Sequence, residues 1–163
     1  MKFFNLISLN DLLGRKLART RKKTPVKRRP NKIHLKTLGT LYDLQSIYNS
    51  INQSYFEGKL DLKITWFGNA ERKARRHRKL GLYCFSDKLI KIHRLLDQPN
   101  FPPYFISYVV YHEMLHSVYP PVKARRGRYS IHHANFKQKE REFVEYDAAK
   151  RWEEENKKLF FIH

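Results

Sequence analysis

From Tyr104 to Tyr119, apolar side chains surround nearly the whole circumference of what reads as one helix: Phe105, Val109, Val110, Met114, Leu115 and Val118. A helix that is apolar all round has no solvent face and must be buried. The chain has 163 residues, which suits one compact domain and is too short for two full ones. Such a helix therefore has to be the element that the others cover. Pro103 fits its first turn, and Pro120-Pro121 cannot continue it.

Ionisable side chains stand in the middle of that helix, in His112-Glu113-Met114-Leu115-His116. Burying them without a partner costs free energy, and a metal ion supplies a partner. Histidines at i and i+4 project from one face, so His112 and His116 can reach one tetrahedral metal. Glu113 is too close along the helix to be a convenient third ligand. Its position suits a general base, taking a proton from an activated water and passing it to a leaving amine. Zinc is the expected ion from the ligand type, although manganese or nickel fits the same imidazoles. A catalytic site needs a third protein ligand, and His132, His133, Glu140 and Glu142 are the downstream candidates.

Around this helix the patterns predict a small α+β domain. Leu41, Leu44, Ile47, Tyr48, Ile51, Tyr55 and Phe56 recur at helical spacing, and Gly58 stops them. Leu60 to Phe67 alternates as a strand, followed by strands at Leu80 to Phe85 and Leu89 to His93. These predict a largely antiparallel sheet. A basic loop (Lys123, Arg125, Arg126, Arg128) leads to a last helix from about His133 to Lys158.

Charge narrows the partners. Lys plus Arg number 34 against 15 Asp plus Glu, a formal net charge of +19, and a field of that size favours polyanions such as DNA or RNA. Residues 15–32 are almost all Lys, Arg, Thr and Pro and read as a basic arm. Phe3 to Leu13 could form a short helix before it. Further basic side chains cluster at residues 72–79 and 123–128. The single cysteine, Cys84, excludes an intrachain disulfide and a multi-cysteine zinc ribbon. Apolar runs are too short to span a bilayer, and the N-terminus lacks the features of a signal peptide. A cytoplasmic protein is expected, nucleoid-associated or nuclear if the charge serves nucleic acid. Trp66 and Cys84 read as core residues, and His34, His77, His93 and His163 as surface or partly buried ones.

Several phrases in order, from about Leu41 to Phe143, resemble the SprT-like domain, the catalytic domain of the Spartan proteases. They are Tyr55-Phe56-Glu57-Gly58-Lys59-Leu60 at the end of the first helix, Ile64-Thr65-Trp66, Leu80-Gly81-Leu82-Tyr83, Ile90-Lys91-Ile92, the His112 to His116 helix, and a phrase opening the last helix at Phe136. The resemblance implies a zincin-like domain over 38–160 after a basic arm at 1–37. It also implies zinc held by His112, His116 and His132, with Glu113 as catalytic base. His133 stands where the family has glycine, and the family's C-terminal zinc ribbon is missing. Spartan members bind DNA and act on proteins crosslinked to it, so the expected function is zinc-dependent peptide hydrolysis on nucleic-acid-associated proteins. The alternatives are a non-catalytic zinc-containing nucleic-acid-binding protein and a metal-dependent ribonuclease. Against the latter, His132 lies farther from His116 than such enzymes place their third histidine.

Overall fold

The computed structural model describes residues 34–71, 79–123 and 127–160. The arm before Ile33, the proposed helix at 3–13, the arginines at 72–78, Arg125, Arg126, His77 and His163 lie outside them. One compact unit begins at His34. Its architecture is α+β: helices α1 (Leu44–Phe56), α2 (Pro103–Val118), α3 (Ala134–Glu140) and α4 (Tyr146–Glu155), with strands β1 (Lys63–Phe67), β2 (Gly81–Cys84), β3 (Leu89–His93), β4 (Val122–Lys123) and β5 (Tyr129–Ser130). No helix among the described residues is long and apolar enough to cross a membrane.

The apolar helix is the hub. α2 packs against α1, α3, α4, β2 and β3, and Phe105, Ile106, Val110, Tyr111, Met114 and Leu115 are essentially inaccessible to solvent. Each fully buried side chain of this size contributes roughly 1.5–3 kcal/mol of transfer free energy. Prolines open the helix as expected, with Pro102 at the N-cap and Pro103 inside the first turn.

The sheet is mixed rather than mostly antiparallel. Its order is β1-β3-β2, with β3 parallel to β1 and antiparallel to β2. Packing explains the arrangement. β3 carries Leu89, Ile90 and Ile92, all fully buried, so it takes the centre, where both neighbours cover it. β2 is thereby pushed to the outer edge, beside α2. The long connection from Gly68 to Leu80 makes this crossing feasible, whereas consecutive alternating strands by themselves suggest adjacent pairing.

Ahead of the sheet, Lys36 exchanges backbone contacts with β1: its carbonyl accepts from the Trp66 N–H at 2.8 Å, and its N–H donates to Thr65 Oγ1 at 2.9 Å. Leu41 is not part of the first helix. α1 starts at Leu44 because Asp43 caps it, accepting from the Gln45 N–H, and Leu41 is left half-exposed. The Asp97 carboxylate gathers the N–H groups of Thr40, Leu41 and Tyr42 and so fixes this entry turn. β1 is shorter than the alternation suggested, since Leu60 and Leu62 are engaged instead by Tyr48 and Asn52 of α1. His93, read as surface or partly buried, is buried at 9% exposure, and its Nδ1 accepts from the Leu95 N–H to cap a short 3-10 turn.

The last helix is broken in two. Residues 141–145 turn away between α3 and α4, although they contain neither Gly nor Pro. Tertiary packing causes the break. Phe143 is buried against Tyr55 and Tyr111, and the Val144 N–H donates to the Tyr55 hydroxyl at 3.1 Å. The change of direction lets α3 face one end of α2 while α4 lays Ala149 and Trp152 on the core. The basic loop after α2 is a small hairpin at its described ends, with β4 pairing antiparallel to β5.

Candidate metal centre

α2 presents His112 and His116 one turn apart, and the chain brings His132 onto them just before α3. The three imidazoles offer nitrogen atoms that all lie within 4.8 Å of one another. Ring centroids are 4.9 Å apart for His112–His116, 4.9 Å for His112–His132 and 5.0 Å for His116–His132. The Nε2 atoms of His116 and His132 face each other at 3.3 Å. Two nitrogens bound tetrahedrally at about 2.0–2.1 Å to zinc would be about 3.3–3.4 Å apart, so this edge already has the dimension of a metal site. Phe136 of α3 lies against all three rings, at 5.1, 4.7 and 4.8 Å, and gives them a common apolar floor.

Burial tunes these groups towards ligation. It pushes the His116 imidazole down to about 4, helped by the neighbouring His112 and His132. His132 is lowered too, by burial and then by His112. Both stay neutral at physiological pH, with a lone pair available to a cation.

The remaining candidate ligands fall elsewhere. Glu140 does not join the ligand atoms; its Oε1 lies 2.7 Å from His112 Nδ1 and accepts from the Tyr108 hydroxyl at 2.7 Å. Glu142 pairs with Lys139 at the surface. His133 turns towards Tyr119, and its buried Nε2 has no hydrogen-bond partner among the described residues. Of the two adjacent histidines, only His132 is in the cluster.

Glu113 leaves α2 on the side of the outer strand β2. It is only 6% exposed. Burial drives its carboxyl up to about 7, against the opposing influence of His112, a hydrogen bond from the Tyr83 N–H, and Lys79. The carboxylate fits because residue 81 is glycine: a Cβ there would stand 2.4 Å from Glu113 Oε1. Gly81 thus has a defined steric task.

These groups share one cleft of about 660 Å³, lined by His112, Glu113, His116 and His132, by Lys79 and Leu80 with the following β2 residues to Tyr83, and by Phe85, Pro121 and Ile131. An adjoining apolar face carries Phe85, Pro120, Pro121, Tyr129 and Ile131. Tyr83 therefore lines the cleft, and Tyr129 lies beside it. Trp66 belongs to the core, while Cys84 is half-buried.

Compared with known proteins, the chain matches no family model, no curated protein and no solved structure. The geometry itself establishes that His112, His116 and His132 lie close enough to hold a metal ion.

Two features of the centre were absent from the sequence reading. Tyr108 is four residues before His112 and so on its face of α2, a spacing that could have drawn notice. Phe136 had no local signal as the floor of the site.

Proposed function

We propose that this chain is a zinc-dependent metallopeptidase with a zincin-like, SprT-like catalytic domain, acting on proteins associated with nucleic acid. The observation that carries the reading is Glu113. It is a buried carboxyl near neutrality, wedged between a three-histidine cluster and an outer strand in one cleft. His112, His116 and His132 would hold the ion, three imidazoles leaving a coordination position open. When bound, zinc supplies a Lewis acid and lowers the pKa of water at neutral pH.

The chain's own residues account for the rest. Glu113, buried beside the three histidines, accepts one proton from the attacking water and delivers it to the leaving amine. Among the described residues β2 has a pairing partner on one side only, and an open strand edge can take an extended peptide by backbone pairing. That peptide would run past Glu113 and the histidines. Leu82, Phe85 and Ile131 offer apolar wall to its side chains.

Nucleic-acid association is supported by charge placement. Asp11 is the sole acidic residue in segments 1–33, 72–78 and 124–126, which hold most of the surplus Lys and Arg. The second segment leads directly into Lys79, and the third lies between Pro121 and Ile131, all of which line the cleft.

The test is metal analysis with a cleavage assay. Purified protein should carry one zinc per chain and cleave casein or itself, with or without single-stranded DNA. Glu113→Gln should keep the zinc and lose cleavage. Zinc retained with no cleavage under any DNA condition would point to a non-catalytic nucleic-acid-binding protein instead. Metal-free wild type that cannot be loaded would remove the site altogether.

A further inference from the structure

We propose that Glu140, anchored by Tyr108, is a positioning residue that fixes His112 in one orientation and one tautomer for the metal. The inference rests on the three histidines forming a metal site, though not on the site hydrolysing peptides.

The geometry is specific. Glu140 Oε1 lies 2.7 Å from His112 Nδ1 and accepts from the Tyr108 hydroxyl at the same distance. Tyr108 and His112 sit one turn apart on α2, and Glu140 is the last residue of α3. One carboxylate oxygen thus bridges two side chains of the neighbouring helix. Its side chain is only 12% exposed and that of His112 23%, so the contact is largely shielded from competing water. Lys150, from α4, adds a favourable charge and also lies over the Tyr108 ring at 5.9 Å.

A carboxylate can only accept, so the proton of neutral His112 belongs on Nδ1 and the lone pair on Nε2. Ring rotation would break the bond, so Nε2 stays directed at the cluster. A hydrogen bond of this kind also raises the basicity of a ligating imidazole. The same short helix carries Phe136 beneath the rings and begins two residues after His132, so its docking brings in the third imidazole, the floor and the orienting carboxylate together. Tyr111 reinforces that docking through its hydroxyl, which donates to the Lys139 carbonyl at 2.7 Å.

The rival reading is that Glu140 is only a clasp between α2 and α3. The full-length chain separates the two. Zinc affinity is measured by chelator competition for wild type, Glu140→Ala, Glu140→Gln, Tyr108→Phe and the surface control Glu142→Ala, with circular dichroism to follow the fold. The His112 tautomer is read from nitrogen chemical shifts in the zinc-loaded wild type and variants. Glu140→Ala should weaken zinc roughly tenfold to a hundredfold, with Glu140→Gln retaining part of the affinity, Tyr108→Phe losing less, and Glu142→Ala unchanged. In wild type, Nδ1 of His112 should carry the proton, and Glu140→Ala should lose that fixed state. A folded Glu140→Ala binding zinc within about threefold of wild type overturns the proposal, as does a wild-type His112 bound through Nδ1. If Glu140→Ala does not fold, the Glu140→Gln affinity and the wild-type tautomer still decide. Weaker zinc in Glu140→Ala alongside a wild type that cleaves nothing would keep Glu140 in its role while removing the peptidase. Loss of cleavage in Glu113→Gln with normal zinc affinity in Glu140→Ala would do the reverse.

Discussion

His116 Nε2 and His132 Nε2 stand 3.3 Å apart, although one lies inside a buried helix and the other in the loop that follows a hairpin. Holding two imidazole nitrogens edge to edge at that distance favours a cation between them. Metal loading should therefore stabilise the fold, by about 4 kcal/mol when free zinc exceeds the dissociation constant a thousandfold. Thermal melts with and without zinc check this. His132→Ala should abolish most of the gain, whereas His133→Ala should retain it.

Glu113 provides a prediction with a definite sign. Its folded pKa, about 7, lies above the ordinary 4.5, so the neutral carboxyl is the form that the fold favours. Its contribution is fully present below pH 4.5 and is lost as pH rises through about 7. At ~1.4 kcal/mol per pH unit this amounts to about 3 kcal/mol. Metal-free Glu113→Gln should accordingly be more stable than metal-free wild type at pH 8, and the difference should vanish near pH 4. Urea denaturation at the two pH values measures it. The histidines titrate in both proteins, so the comparison isolates residue 113.

Gly81→Ala should lower cleavage while leaving zinc bound. The new Cβ would occupy the place of the Glu113 carboxylate, and displacing a reacting group by about 1 Å costs on the order of a hundredfold. Steady-state kinetics should show the loss in kcat, with metal content unchanged.

Phe143→Ala should be costly, at about 3–5 kcal/mol by chemical denaturation. Phe143 is buried in the aromatic group with Tyr55 and Tyr111, and its packing causes the turn between α3 and α4. Zinc affinity should fall with it, since α3 carries Phe136 and Glu140.

If the basic segments contact nucleic acid, binding of single-stranded DNA should weaken steeply with salt. Replacing Arg72, Arg75 and Arg76 by alanine should flatten the dependence of log K on log salt by up to about 2, at ~0.7 per lost phosphate contact. An unchanged slope would place the interface elsewhere.

Much of the site was legible because helical geometry is local. The i, i+4 spacing puts His112 and His116 on one face whatever surrounds them, and the apolar circumference of 104–119 requires that helix to be central. Capping and turn chemistry are local as well, so the positions of β3 and α2 could be read with little error. His132 was different. Nothing in its neighbourhood separates it from His133, and only the resemblance favoured it; the fold brings one ring to the metal ligands and turns the other to Tyr119.

What the sequence determined by itself was the buried helix, its histidine pair, the alternating strands and the concentration of positive charge in a few segments. Each follows from side-chain periodicity or composition, which act over a turn or two of chain. The tertiary structure alone decided the order of the strands, the break after α3, the close fit of Gly81 to Glu113 and the meeting of Glu140 with His112. Those depend on which surfaces compete for the same core. Phe143 ends a helix by packing on Tyr55, a residue far away in sequence, and β3 takes the centre of the sheet because its side chains are the most completely buried. Such contacts have no local pattern, and burial settles them only when the whole chain has closed.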